Sequence, residues 1–525
     1  MLAAVLLSAK AGSQTIPTFK VKVYTPASQG YYFLTPTKFG GPAASYPPTH
    51  LILDDKGNIV YYKQFSGNLT AADFKLLPNG LMSYAGSGQF MLMDSTFTVV
   101  DSVSCVDTIN TDPHDMKLLP NGHYLLLGSD LVKMDLSGYN YFSHNGSPGS
   151  SNATVRCGVV QELDANKNLL FQWNSKDHYQ FSDVDTVFLN GPNVVDWTHF
   201  NAVEMDDDGN ILVSSRHFNE ITKIDRTTGN IIWRLGGKQN YFNFINDSAM
   251  FRGQHDIRSL GNGNYTLFDD GNPKPPFKPA RGKEYHLNTT NMQADLVWSF
   301  MENANTASQA TGGLQRLPNG NTLIDWGVLN NYNLVFNVVD NSGNKVFEIA
   351  FDDTLYSYRS YNFATLPWSF KRPTLSCGVD SDGYYLEPTA DYDSYLWSSG
   401  ETSKRVYISK PDTLALFVPY GQGGFIASEP FKVYSINEPC GPSGIHDETD
   451  FALNIAPNPA KAEVAVSFTA ATHESLLSLV DVTGKLVQAV SITTGQSNAV
   501  LHIDEFADGI YLLHYNGKVV KLIKE

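Results

Sequence analysis

Cations are scarce in this chain. Its 525 residues include 37 Lys and Arg against 53 Asp and Glu, a formal net charge of -16. Nucleic acids and anionic membranes are thereby excluded as partners, since both are bound by basic surfaces that displace counterions. No stretch approaches the ~18 consecutive apolar residues needed to cross a bilayer, so no membrane span is expected. Helix signals are few as well: short runs of Val, Ile, Leu, Phe and Tyr alternate with Gly, Asn, Asp and Pro, the pattern of an all-β chain with frequent turns. Cysteines number four. An even count suits an oxidising compartment, and proximity in sequence favours Cys105 with Cys157 and Cys377 with Cys440, one of three possible pairings.

At the N-terminus, MLAAVLLSAKAGSQT has a short apolar run followed by Ala9-Lys10-Ala11, a small-x-small cleavage pattern with no basic residue before it. Residues 1–13 read as an export signal peptide with a clipped start; the competing reading is a ragged buried strand. The mature chain is expected to be secreted.

What the sequence has in quantity is repetition. With 42% hydrophobic content the length fits two to four domains. One phrase recurs as FKLLPNGLMSY, MKLLPNGHYLLL, VEMDDDGNILVSS, IRSLGNGNYTLF and LQRLPNGNTLIDW, with turn glycines at Gly80, Gly122, Gly209, Gly263 and Gly320. Each is followed by a second hairpin, such as VVQELDANKNLLFQWN or ITKIDRTTGNIIWRL. Units of four strands at roughly forty- to sixty-residue spacing are the mark of propeller blades. A further unit, GYYFLTP with HLILDDKGNIVYYKQF, precedes them. This predicts a six-bladed β-propeller over residues 20–368, with seven or eight blades as the alternative.

Three histidines stand in one register. The separations from His114 to Gly122, His199 to Gly209 and His255 to Gly263 are all even, so period-two alternation places each on the same face relative to its turn. If the first strand of each blade lines the central channel, these side chains ring one mouth. Ala72 and Gly312, at the matching positions of two other blades, leave room between them. Arg216 returns on the strand after Gly209 beside His199. A guanidinium and three imidazoles together suit an anion with several oxygens. His217 is expected on the opposite face and His123 in solvent. Trp197, Trp233, Trp298 and Trp326 are expected in the core, Trp197 having a second reading as an aryl-pocket wall. Asp206 to Asp208 read as a solvated turn, because no calcium-ligating Glu follows at the right spacing.

DPHDMKLLPNG, DWTHFNAVEMDDDGNILVSSR, TGNIIWRLGGK, GQHDIRSLGNGNYTLFDDG and LQRLPNGNTLIDWG together resemble the bacterial arylsulfotransferases, over about residues 20–368. The resemblance implies an enzyme that moves a sulfuryl group from a phenolic sulfate donor to a phenolic acceptor without phosphoadenosine phosphosulfate. It implies no other cofactor and no metal. His255, in its QHD context, is then the nucleophile that forms a sulfohistidine in a ping-pong cycle, and His114, His199 and Arg216 are its catalytic partners. Two other readings share these residues: a non-catalytic cell-surface binding propeller, and a metalloenzyme ligated by His114, His199 and His255.

Beyond the propeller, residues 372–440 with a central Trp397 resemble an immunoglobulin-like sandwich acting as a spacer. A linker at 441–450 follows. Residues 451–525, with Pro457-Asn458-Pro459, the Asp481 to Gly484 turn with Lys485, Gly509-Ile510-Tyr511 and a basic tail, resemble the C-terminal sorting domain of type IX secretion. Partnership with that secretion machinery and display or release at the cell surface would follow; the competing reading is one more small β-sandwich.

Overall fold

The computed structural model describes residues 10–11, 14–15 and 18–525, except 26–28, 39–45, 67–70, 142–145, 190–192, 272–276, 330–332, 352–354, 435, 437–438, 441–452, 469, 472–474, 483–485 and 516–517. The expected signal peptide, apart from the backbone of 10–11, and the 441–450 linker lie outside the described residues, as do Gly484 and Lys485.

The repeated phrases fold through repeated turn chemistry. In each LPNG copy the glycine N–H donates to the leucine carbonyl three residues back, and the Asn side chain accepts from the N–H two residues on: Leu77 to Leu81, Leu119 to His123 and Leu317 to Asn321. The glycine takes φ of 83° at Gly80 and 86° at Gly320, left-handed values that an L side chain adopts only with strain. The second hairpins close differently. Asp54, Asp94, Asp164 and Asp340 each accept two backbone N–H groups across the turn, two and four residues ahead. A short carboxylate side chain that folds back this way specifies the turn locally.

These hairpins pair into six antiparallel blades. Blades 2 to 5 are contiguous in sequence and begin with the inner strands Ala72–Leu76, Asn110–Leu118, Phe200–Met205 and His255–Gly261. Blade 6 begins at Gly313–Arg316 and gains Phe19–Tyr24 beyond its outer strand Lys345–Phe351. Blade 1 takes its inner strand from the far end of the propeller, where Tyr361–Phe363 pairs with Tyr31–Leu34. Both ends of the ring are thus pinned by strands distant in sequence, which spares the circle an unpaired seam.

Between blades lie apolar clusters. Trp173, Trp197, Phe200 and Phe218 fill one, and Tyr32 stacks on Phe336 and Phe347 at the closure. Full burial of a side chain of this kind contributes on the order of 3 kcal/mol. Trp197, Trp233 and Trp326 are core residues, as expected, and Trp298 is partly buried with Arg316 over its ring.

Residues 375–433 form further antiparallel sheets. Leu396–Trp397, Leu416–Tyr420 and Gly424–Ala427 continue the blade 1 sheet, with Phe425 opposite Tyr62. Trp397 is fully buried among Leu386, Val406, Leu416 and Ile426. Residues 440–525 make a separate compact unit of two sheets. Its strand Glu463–Phe468 alternates exposed and buried positions, sending Val464, Val466 and Phe468 into the core. Asn458 accepts from the Ile523 N–H and donates to the Lys521 carbonyl, so the Pro-Asn-Pro segment is read directly by the last strand.

The expected pairing of Cys105 with Cys157 is not formed: both are free and buried, whereas Cys377 and Cys440 are disulfide-bonded. Cys105 packs with Leu126, Val159 and Leu163, its thiol toward the Leu127 carbonyl, while Cys157 packs with Val155, Trp173 and Trp197 in another cluster. Neighbours in sequence are here separated by the packing of one blade. Among the described residues no helix is long and apolar enough to cross a membrane.

Candidate functional site

The inner strands share an irregularity that makes the site. Pairing slips between Ala72 and Lys75, Thr111 and Met116, Phe200 and Ala202, and His255 and Arg258, a break at the same end of the inner strand in four consecutive blades. Strict alternation from turn to histidine therefore does not hold. The histidines converge because a break in pairing recurs at the same end of four inner strands, one extra residue in blades 2, 4 and 5 and three in blade 3, and re-aims the residue beside it. His199 and Asp256 take left-handed φ values of 48° and 59° there, a local strain that the surrounding sheet must hold.

A cavity of about 580 Å³ opens at this mouth, lined by His114, His199, Arg216, His255, Tyr358 and Thr311 among others. Ala72 also lines it, and the matching wall on the blade 6 side is Thr311 rather than Gly312. His217 lines it too, against expectation. The strand ends at Ser215, and Arg216 to Phe218 form a 3-10 turn closed by Asn219 in the left-handed conformation, so alternation stops before His217. Its ring stacks on His199 with centroids 4.6 Å apart, and on Phe188.

Each expected site histidine is held at Nδ1 by a carboxylate. His199 meets Asp196 at 2.6 Å, His255 meets Asp270 at 3.1 Å, and His114 makes a short contact with Asp112. Sequence reasoning passed over these aspartates although D-x-H and D-x-x-H are visible in the motifs; such pairs fix the tautomer and leave Nε2 for chemistry. His255 is 2% exposed, and its Nε2 accepts from the Thr311 N–H at 3.2 Å. Arg216 donates through Nη2 to the Gln309 carbonyl at 2.8 Å and approaches Asp270 at 3.4 Å. Among the described residues, Arg216 Nε and Thr311 Oγ1 are buried donors with no hydrogen-bond partner, costly in a closed interior and apt for a ligand.

Electrostatics separate the imidazoles. Burial, with Arg216 and the other two histidines, holds His255 well below the ordinary histidine range. Burial lowers His199 as well, outweighing Asp196. At His114 burial is overcome by Asp112, and the pKa is raised. Asp270 is pushed well above the usual carboxylate range by burial, with Arg216 opposing.

The floor is a buried ring of charge. The residues next to the bulges, Asp73, Asp115, Asn201 and Asp256, surround Arg359, which is 1% exposed. Arg359 donates to Asp73 at 3.0 Å, to the His114 carbonyl at 3.0 Å and to the Asn201 carbonyl at 2.7 Å, and lies 3.1 Å from Asp256. Tyr358 also donates to the His114 carbonyl.

Other expectations resolve simply. His123 is not free in solvent: its Nδ1 contacts Glu162, which Arg226 also binds. Asp206 is buried and bonded to Lys223, Ser259 and Tyr265, so the acidic turn is solvated only at Asp207 and Asp208. Among the described residues, the sets of three donor groups within 4.8 Å are Asp196–His199–His217 and Asp206–Asp207–Asp208; His114 and His255 belong to neither.

Known proteins bear on this geometry as follows. No curated protein matches the chain. Similar solved structures include a protein of unknown function from Bacteroides caccae (13% identity, TM-score 0.39, covering 63% of this chain and 98% of that one). Virginiamycin B lyase from Staphylococcus aureus is also similar (12%, TM-score 0.30, 70% and 95%). So is the Cps50 (Swd1) β-propeller domain of Myceliophteria thermophila (8%, TM-score 0.34, 81% and 99%). The profile of the secretion system C-terminal sorting domain matches residues 454–525, which assigns the chain to type IX secretion, to the cell surface or beyond. The profile "Arylsulfotransferase (ASST)" matches residues 18–362, the propeller with all four expected site residues, and the chain belongs to the arylsulfotransferase family.

Proposed function

We propose that the propeller transfers a sulfuryl group from a phenolic sulfate ester to a phenolic acceptor, without phosphoadenosine phosphosulfate, through a sulfohistidine at His255. The observation that carries this is the state of His255: buried, anchored at Nδ1, held neutral, in a cavity that Arg216 also lines.

In the first half-reaction the Nε2 lone pair attacks sulfur and the S–O bond to the aryl group breaks. The phenolate leaves with that electron pair and takes the proton of His114, whose pairing with Asp112 favours the charged form. Arg216 stabilises charge on the equatorial sulfuryl oxygens, in analogy with phosphoryl transfer. In the second half-reaction the acceptor hydroxyl gives its proton to neutral His114. Its oxygen then attacks sulfur, and the S–N bond breaks to restore His255. His199, neutral at the same wall, orients the incoming aryl oxygen.

Turnover of 4-nitrophenyl sulfate with and without phenol, comparing the wild-type chain with His255→Ala, tests the reading. Phenol-dependent release of nitrophenolate that disappears in the variant is expected. Release that survives in His255→Ala, or none with any phenol from a folded chain, would overturn it.

A further inference from the structure

A second cavity, of about 470 Å³, lies against the first. Both are lined by Pro113 and His114, and the second is completed by Asn110, Thr111, Asp112, Ser129, Leu131 and Arg156. The Asp112 to His114 segment, the bulge of blade 3, is therefore a wall with a cavity on either side. One side faces His255; the other runs outward over blade 3.

The lining of this outer cavity is that of a small-molecule groove. Pro113 and the half-exposed Leu131 offer apolar surface. Ser129 and Asn110 sit opposite one another across the strand pair. Arg156 is the cation of the groove, and its neighbours Val155 and Cys157 are buried while its own side chain stays exposed. No ion pair to Arg156 occurs among the described residues, although its charge reaches Asp196. The groove's own carboxylate, Asp112, is already engaged by His114.

We infer that this groove receives the substituent of the phenolic acceptor and that Arg156 selects acceptors whose substituent ends in a carboxylate. The inference rests on the sulfotransferase reading and names its substrate class. A phenol whose hydroxyl reaches His114 from the His255 side has its ring beside Pro113. A two- or three-atom chain from the ring position next to the hydroxyl then passes over the wall toward Arg156. An arginine fork binds a carboxylate through paired N–H donors, whereas a neutral group of the same size leaves that charge without a counterpart. A guanidinium open to solvent gives a modest preference, about 1.5- to fivefold.

Calorimetric titration of the full chain with 2-hydroxyphenylpropionate and with its neutral amide tests this without requiring turnover. The wild type should bind the carboxylate about 1.5- to fivefold more tightly than the amide, and in Arg156→Ala that ratio should fall to about one. Equal affinities in the wild type, a ratio unchanged in Arg156→Ala, or no binding of either compound would overturn the proposal. Loss of nitrophenolate release with the affinity ratio intact would instead indict the sulfuryl-transfer reading and leave the groove standing. Arg156→Lys, keeping the charge and losing the fork, should retain an intermediate ratio.

Discussion

The backbone N–H of Thr311 points at Nε2 of His255, 3.2 Å away, and Thr311 itself is held in the left-handed region at φ 66°. The lone pair that would attack sulfur is thus capped in the free site by a donor from blade 6. A sulfuryl group bonded to Nε2 takes that acceptor away and offers three oxygens in its place. The Thr311 hydroxyl, buried and without a hydrogen-bond partner among the described residues, lies ready as a second donor.

Thr311→Val keeps the shape and the N–H and removes the hydroxyl alone. Since a hydrogen bond to a charged group is at stake, kcat for aryl sulfate cleavage should fall about ten- to a hundredfold, with KM changed much less. Steady-state kinetics on 4-nitrophenyl sulfate with saturating phenol would show it. A rise in KM at constant kcat would place the hydroxyl in ground-state binding only.

The opposite shifts of His255 and His114 set a pH profile. His255 is lowered, chiefly by burial, so its neutral form persists well into acid and the acid limb of the reaction lies below the ordinary histidine pKa. His114 is raised by Asp112 against its own burial, so the proton that the proposed mechanism has it give to the leaving phenolate is lost only as pH climbs through that raised value. Asp112→Asn removes the stabilisation of the imidazolium and lowers its pKa. The alkaline limb should therefore move to lower pH, most clearly with phenyl sulfate, whose poor leaving group needs the proton. An alkaline limb that stays in place would assign the acid to another group.

The blades, their turns and four converging side chains were legible because each repeat writes its own turn, as the LPNG and Asp-x-x-Gly hairpins show. The bulges were not, since the slip between Thr111 and Met116 leaves no residue signature beyond DPHD. His217 was misassigned because alternation was carried past Ser215, where the strand ends. The inner strand of blade 1, Tyr361–Phe363, pairs with residues more than three hundred positions away, and no local pattern announces such a partner.

Burial pushes the thiols of Cys105 and Cys157 each up to about 12. The thiolate is the reactive form, so neither should react with a thiol-specific reagent in the native protein at pH 8. Two thiols per chain should appear on unfolding without reductant, and four with it. Fewer than two in denaturant would mean that Cys105 and Cys157 are bridged in solution.

Arg359 ties the last segment of the propeller to the floor of the site, and its removal shows how much the ring depends on that one charge. Lys75 and Arg258 also serve Asp73, Asp115 and Asp256, but Arg359 alone reaches all three and the carbonyls of His114 and Asn201. Arg359→Met keeps much of the volume while leaving buried carboxylates short of a cation, a loss of about 3–5 kcal/mol when a buried pair is broken from one side. Arg359→Lys restores a charge without the fork and should recover only part of it. The propeller's tryptophans report its unfolding separately from residues 440–525, which contain none, so tryptophan fluorescence against urea isolates the relevant transition. A midpoint for Arg359→Met equal to that of the wild type would mean that the ring's remaining cations suffice, and that Arg359 serves only to position His114.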